Sequence, residues 1–428
     1  MKEYLTLLCL LIAPASLAAE ANRASVPYSS REGLANTMQK LNQEQEVRIA
    51  YLGGSITEQE GWRVMTQQWF GDKFLKAHVV EILAAIGGTN SELGAFRIGQ
   101  DVLLQDPDLV FIEFAGNDAR TPPTRLRETM EGIVRQILQH NPSTDICFVY
   151  TIKEASLGET QDGLYFTNAA STMEEVAEHY GIPSINMGYK VPKLVANNEL
   201  LMRQAKPTTK EDREALAGKI LFAEDGVHPY VETGHPIYFE QVQKALPELL
   251  KTGQARAHAI PEALEPNNFE DARMIPITET NFTGSWTTLN DLDGPTPNRL
   301  KNRADNIWVG KSPDASLSFK FKGSYIGIFG ARGPDSGAYD FSIDGNLKES
   351  SSFDKYCTYH RLSSDTLAAG LSDQVHEVKI NTSDRQIDKL SQLKERNSEN
   401  DYLKNPEKYA DNNLYLSALM IRGELIED

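Results

Sequence analysis

Regular patterning in this chain begins near Val47. Five short runs of almost unbroken apolar residues follow, VRIAYLGG (47–54), HVVEILAAIGG (78–88), DLVFIEFAG (108–116), DICFVYT (145–151) and IPSIN (182–186). Runs of this length without alternation suit strands buried on both faces of a sheet. Amphipathic stretches with helical spacing lie between them, near 62–75, 94–105, 124–139 and 168–180, and a further helix is predicted over 233–250. Gly181 directly follows the fourth stretch, where a helix C-terminus favours glycine. Strand–helix alternation predicts a parallel α/β sheet with right-handed crossovers. Residues 189–219 are less regular and charge-rich, and read either as a lid or as a simple excursion.

After about Ile277 the period changes to two. ASLSFKFKG (315–323), SYIGIFGA (324–331), YDFSIDGN (339–346), HEVKI (376–380) and NLYLSALMIRG (413–423) alternate apolar and polar residues, and Asp344-Gly345 is a hairpin signal. Short strands without long helices predict a β-sandwich. Residues 251–275, with Pro, Ala and acids but no periodicity, read as a linker, and the charged insertion 384–411 as one helix and a loop. At the N-terminus Lys2 precedes an apolar run (4–13) and small residues (15–19), the pattern of a secretory signal; the run is too short for a membrane span of ~20 residues. The expected organisation is therefore a signal peptide (1–19), an α/β domain (20–250), a linker (251–275) and a β-sandwich (276–428), in an exported protein.

Composition narrows the partners. Against 43 basic residues stand 60 acidic ones, a net charge of −17 that repels phosphate backbones and disfavours nucleic acid. Three cysteines occur, with no CxxC and no Cys/His cluster, so neither structural zinc nor another metal is expected, and Cys147 and Cys357 read as free thiols. GARGPDSG (330–337) lacks the Lys-Ser/Thr and helix that a phosphate loop requires.

Candidate chemistry collects at strand ends. GGSIT (53–57) places Ser55 at the carboxyl end of the first strand, where open α/β sheets bind ligands. AGND (115–118) places Asn117 at the same edge, where a side-chain amide can donate to a developing oxyanion. IGGTN (86–90) ends the second strand with glycines whose amides offer another donor. In DGVHP (225–229), Asp225 and His228 are three apart, so the carboxylate can orient an imidazole that takes the serine proton. His235 is a nearby rival. Each segment alone reads equally as a turn. Together they supply the parts of an acyl-transferring serine hydrolase, without the Gly-x-Ser-x-Gly elbow of α/β-hydrolases.

In order and spacing, GGSIT, IGGTN, AGND and DGVH resemble the four blocks of the SGNH (GDSL-type) hydrolases, over roughly residues 45–250. The resemblance implies a flavodoxin-like α/β/α sandwich with Ser55 as nucleophile and Asp225 and His228 as acid and base. It also implies an oxyanion hole of the Ser55 amide, a glycine amide and Asn117. Aligning the small residues puts that glycine at Gly88, with Gly87 the alternative. Gly54 departs from the pattern, since GDSL relatives carry Asp there. No cofactor is implied.

Other residues stay open between chemistry and packing. Trp62 and Arg63, one turn beyond the nucleophile loop, either line the pocket or pack. Glu113 and Asp118 flank the AGN segment, and strand alternation favours a structural role for Glu113. Among Trp286, Trp308, Tyr325, Phe329, Tyr356 and Tyr359, core positions are favoured over a sugar-stacking face for most. The leading expectation is a secreted esterase removing short acyl groups, acetyl foremost, from a polysaccharide or oligosaccharide. The alternatives are a lipase, arylesterase or thioesterase on small esters, and a non-catalytic glycan-binding protein. The sandwich resembles the jelly-roll modules attached to such esterases, and either binds glycan or packs over the active site and shapes it.

Overall fold

A computed structural model describes residues 23–278, 282–289, 300 and 306–426. The expected signal segment lies outside the described residues. The first domain is a six-stranded sheet of β1 (Tyr28–Ser29), β2 (Glu46–Gly53), β3 (His78–Ala85), β4 (Leu109–Glu113), β5 (Asp145–Tyr150) and β6 (Ser184–Asn186), in the order β1-β6-β5-β4-β2-β3. Only β1, at the edge, is antiparallel to its neighbour. The five parallel strands thus run 2-1-3-4-5 in chain order, the flavodoxin-like arrangement, whose switch point lies between β2 and β4.

Strand alternation divides the apolar side chains between two helical layers. Ile49 and Tyr51 of β2 face a core shared with α1 (Ala35–Asn42), α3 (Trp62–Lys73) and α9 (Gly234–Leu249); α2 (Ser55–Glu58) is a single turn directly after β2. Ala50 and Leu52 face the opposite layer, α4 (Ser91–Asp101), α5 (Pro123–His140) and α6 (Asn168–His179). Helix α4 starts earlier than its spacing predicts, because the Asn90 side chain accepts from the Leu93 amide and caps it. The irregular stretch after β6 holds α7 (Val191–Ala196), β7 (Leu200–Arg203), α8 (Lys210–Ala215) and β8 (Ile220–Ala223). Strands β7 and β8 pair in parallel, so this excursion builds a platform under the Asp225 loop.

The second domain is antiparallel throughout. Strands β9 (Ala272–Pro276), β10 (Phe282–Thr283), β11 (Trp286–Thr288), β12 (Trp308–Lys311), β13 (Ser316–Arg332), β14 (Ala338–Ile343), β15 (Asn346–Ser351), β16 (Arg361–Ser383) and β17 (Asn413–Ile426) bond into one nine-stranded array. The two adjoining runs 315–323 and 324–331 form the single strand β13, with a register shift between Gly323 and Tyr325. Asp344 and Gly345 both take positive φ and close the β14–β15 hairpin, as their pairing predicts. The insertion after β16 forms two short helices rather than one, Lys389–Lys394 and Glu399–Lys404. The Lys389 ammonium is buried there and donates to the carbonyls of Pro334, Tyr409 and Asp411. Cys147 and Cys357 are free and buried.

The linker expectation needs correction. Phe269 is fully buried, the Leu264 and Glu265 amides donate to the buried Glu131 carboxylate, and β9 pairs with β17. These partners are distant in sequence, so no periodicity marks the segment. It forms part of a continuous junction: Tyr325 of β13 packs on Phe96 of α4 at 4.8 Å between ring centroids and on Phe269 at 6.0 Å, and its hydroxyl donates to Glu92 over 2.7 Å. One face of β13 and β17 thereby extends the first domain's core, while the other face packs the second domain's own core.

Candidate active site

Ser55 opens α2 at the end of β2, and Asn117 follows β4, so the two flank the switch point. The DGVH segment reaches the same edge from β8. Ser55 Oγ lies 2.7 Å from His228 Nε2, and His228 Nδ1 lies 2.6 Å from Asp225 Oδ2. A proton on Nδ1, facing the carboxylate, leaves Nε2 as the acceptor of the serine hydroxyl. Asp225 Oδ1 also accepts the Val227 and His228 amides, each at 2.9 Å, which closes the loop on itself. That closure needs Gly226 at φ +76°, and a β-carbon there would stand 2.7 Å from Glu154 Oε2. Burial pushes the Asp225 carboxyl upward, but hydrogen bonds from the His228 amide and ring and the Val227 amide outweigh it and hold it below the usual range.

Buried carboxyls fix the strand ends. Glu113 accepts from Thr57 Oγ1 at 3.1 Å and Thr151 Oγ1 at 2.6 Å, and from the Gly116 amide, which ties α2, the AGND turn and the end of β5 together. Its burial favours the protonated form and raises its pKa. Asp118, raised for the same reason, accepts the Ser91 amide and the Thr121 hydroxyl. Both are structural, as alternation suggested for Glu113. Arg97, buried and with no pattern to announce it, donates to the carbonyls of Gly53 and Ala84 and braces β2 and β3 just below the serine.

Both glycines left open border the cleft with Ser55 and Asn117; Gly87 donates its amide to Glu58 Oε2 over 2.9 Å, and Gly88 stands at φ +78°. Trp62 and Arg63 do not line that cleft, which corrects one of the two readings given to them. The first turn of α3 faces inward: Trp62 is fully buried against Tyr51 and Phe111, and Arg63 pairs with Glu81 and donates to the Thr57 carbonyl. His235 is buried and accepts the Trp62 amide, and burial holds its pKa down at about 4, a neutral structural imidazole.

The cleft has a volume of about 810 Å³. Ser55, Gly88, Asn117 and His228 border it on one side, and the second domain contributes Tyr356, Tyr359 and Arg361 on the other. Sequence spacing gave no sign of this second wall. Tyr325 and Phe329 are core, as expected, but Tyr356 and Tyr359 are 41% and 39% exposed. Among the described residues no group of three or more His, Cys, Asp or Glu side chains could hold a metal ion, and no helix is long and apolar enough to cross a membrane.

A hydroxyl set against an imidazole–carboxylate pair, at the switch point of a flavodoxin-like sheet, places the protein among the acylhydrolases. Residues 51–232, most of the first domain, match the model of the GDSL-like Lipase/Acylhydrolase family. Two solved structures share the two-domain architecture. A two-domain esterase (CEX) active on acetylated mannans, co-crystallized with mannopentaose, aligns at 20% identity over 95% of this chain and 97% of its own, with a TM-score of 0.68. A second structure of a two-domain esterase (CEX) active on acetylated mannans aligns at 19% identity over 93% and 98%, also at 0.68. No curated protein matches the chain.

Proposed function

We propose that this protein is an exported serine esterase that removes short acyl groups, acetyl foremost, from a polysaccharide. The observation that carries the reading is the unbroken relay from Ser55 through His228 to Asp225, at 2.7 and 2.6 Å, on the floor of a cleft that both domains enclose. In this reading His228 takes the Ser55 proton as Oγ attacks the ester carbonyl. The oxyanion is held by the amides of Ser55 and Gly88 and by the Asn117 side chain; the Gly87 amide is already engaged by Glu58. The imidazolium then protonates the leaving sugar hydroxyl, and water, deprotonated by His228, releases the acid from Ser55. Each oxyanion donor is worth roughly 3–4 kcal/mol in such sites.

The polysaccharide half of the reading draws support from the tyrosine- and arginine-bearing wall. The cleft far exceeds an acetyl group, and amphipathic tyrosines suit a polyhydroxylated chain better than an alkyl one. The acetylated-mannan esterases that share the architecture point the same way. Export rests on the signal-like segment at residues 1–19.

The test is acetate release from acetylated xylan, pectin, glucomannan and xyloglucan, alongside p-nitrophenyl acetate, by the natural protein and by Ser55→Ala. Equal hydrolysis of p-nitrophenyl acetate by both would exclude Ser55 as nucleophile. Activity confined to long-chain esters would overturn the glycan substrate.

A further inference from the structure

The cleft is cationic in an acidic protein. Net charge over the chain is −17, yet the basic side chains Lys153, Arg361 and Arg396 border the site, against the carboxylates of Glu58 and Asp354. Those carboxylates are occupied within the protein. Asp354 is bracketed by Arg332 and Arg361, and Glu58 accepts the Gly87 amide. Lys153 and Arg396 are left without a carboxylate partner among the described residues. The acids nearest in charge to Lys153 are committed elsewhere, Asp118 to the Ser91 amide and Glu159 to the Asn168 amide, and Arg120 adds repulsion. Arg396 lies over the Tyr356 ring at 4.3 Å, which fixes its guanidinium at the cleft wall without neutralising it.

A half-buried ammonium without a counter-ion costs free energy that an arriving anion would recover. The two unpaired cations come from different domains, Lys153 from the loop after β5 and Arg396 from the insertion after β16, and meet at one cleft. Resting on the esterase reading above, we infer that the substrate is an anionic glycan. A carboxylate or sulfate on the sugar chain would be held by Lys153 and Arg396 while a neighbouring ester sits over Ser55. Arg is suited to bidentate capture of either group, and Lys to a point contact.

The experiment uses matched substrates and the full protein. Acetylated oligogalacturonide is compared with the same material after its carboxyls are reduced to alcohols, and an acetylated sulfated galactan with its desulfated form. The expected result is kcat/KM at least about tenfold higher for the charged member of one pair, which identifies carboxylate or sulfate, with the advantage shrinking in ~0.5 M salt. Lys153→Gln with Arg396→Gln should move that charged-to-neutral ratio toward one, with folding checked by Tm. A ratio near one for both pairs in the natural protein would overturn the inference and leave the esterase reading standing, as would a ratio that both substitutions leave unchanged. Hydrolysis of p-nitrophenyl acetate with no release from any glycan would overturn both readings.

Discussion

The side-chain amide of Asn117 occupies the space a β-carbon on Gly54 would need: such a carbon would stand 2.3 Å from Asn117 Oδ1. Residue 54 is where this chain departs from the Asp of GDSL relatives, and here the glycine lets Asn117 settle beside the nucleophile. Gly54→Ala should displace the amide and lower kcat on p-nitrophenyl acetate by about 10²-fold, the worth of one oxyanion donor. Tm should move little, because the displaced group is the tip of a flexible side chain. Unchanged kcat would mean that Asn117 does not serve the oxyanion.

Asp225 acts through charge and through two amide contacts. Asp225→Asn keeps an acceptor for the Val227 and His228 amides but allows the wrong imidazole tautomer. kcat should fall by about 10³–10⁴-fold with a near-normal KM. Steady-state kinetics check this, and a fall of less than tenfold would demote Asp225 to a loop closure.

The junction through Tyr325 should make the domains melt together. Calorimetry of the natural protein should show one transition. Tyr325→Ala, which opens a cavity between Phe96 and Phe269, should cost about 3–5 kcal/mol and separate the transitions. Tyr325→Phe removes only the hydroxyl's bonds with Glu92 and Thr366 and should cost about 1–3 kcal/mol, with a single transition retained.

Acid stability should depend on Asp335 in the second domain. Burial raises its carboxyl, but His360, the first of its hydrogen-bond donors, with Tyr415 and Asn413 outweighs that and holds it below the usual range. A depressed carboxyl contributes stability that is fully present above the unfolded value of about 3.9 and is lost as pH falls through the lower folded value. Asp335→Asn should therefore lower Tm at neutral pH and flatten its decline below about pH 4. Equal slopes for the two proteins on the acid side would exclude this role.

The sheet was legible because its strands are buried on both faces, and such runs need no partner to be recognised. The residues at its rim were legible because a strand end fixes where the next side chain lies, and the i, i+3 spacing of Asp225 and His228 is a local property. The burial of Trp62 and Arg63 was not legible: the first turn of α3 shows no bias between core and cleft, and only packing against Tyr51 and Phe111 decides it. Phe269 and the Leu264–Glu265 amides looked like linker because their partners, Tyr325, Arg125 and Glu131, stand far away in the chain. The cleft wall was hidden for the same reason. Tyr356 lies in an irregular stretch of the second domain and Arg361 opens β16, and nothing local aims them at a serine some 300 residues earlier in the sequence.

The amino-acid order by itself determined the parallel α/β domain, the antiparallel second domain and the four segments that carry Ser55, Asn117, Asp225 and His228, since hydrophobic period and strand ends are short-range features. Tertiary structure alone decided that the second domain completes the cleft, that the region between the domains is a packed junction, and that of the two glycines bordering the site it is Gly87 whose amide Glu58 engages. Those outcomes depend on contacts between residues remote in sequence, whose free energy no local pattern encodes.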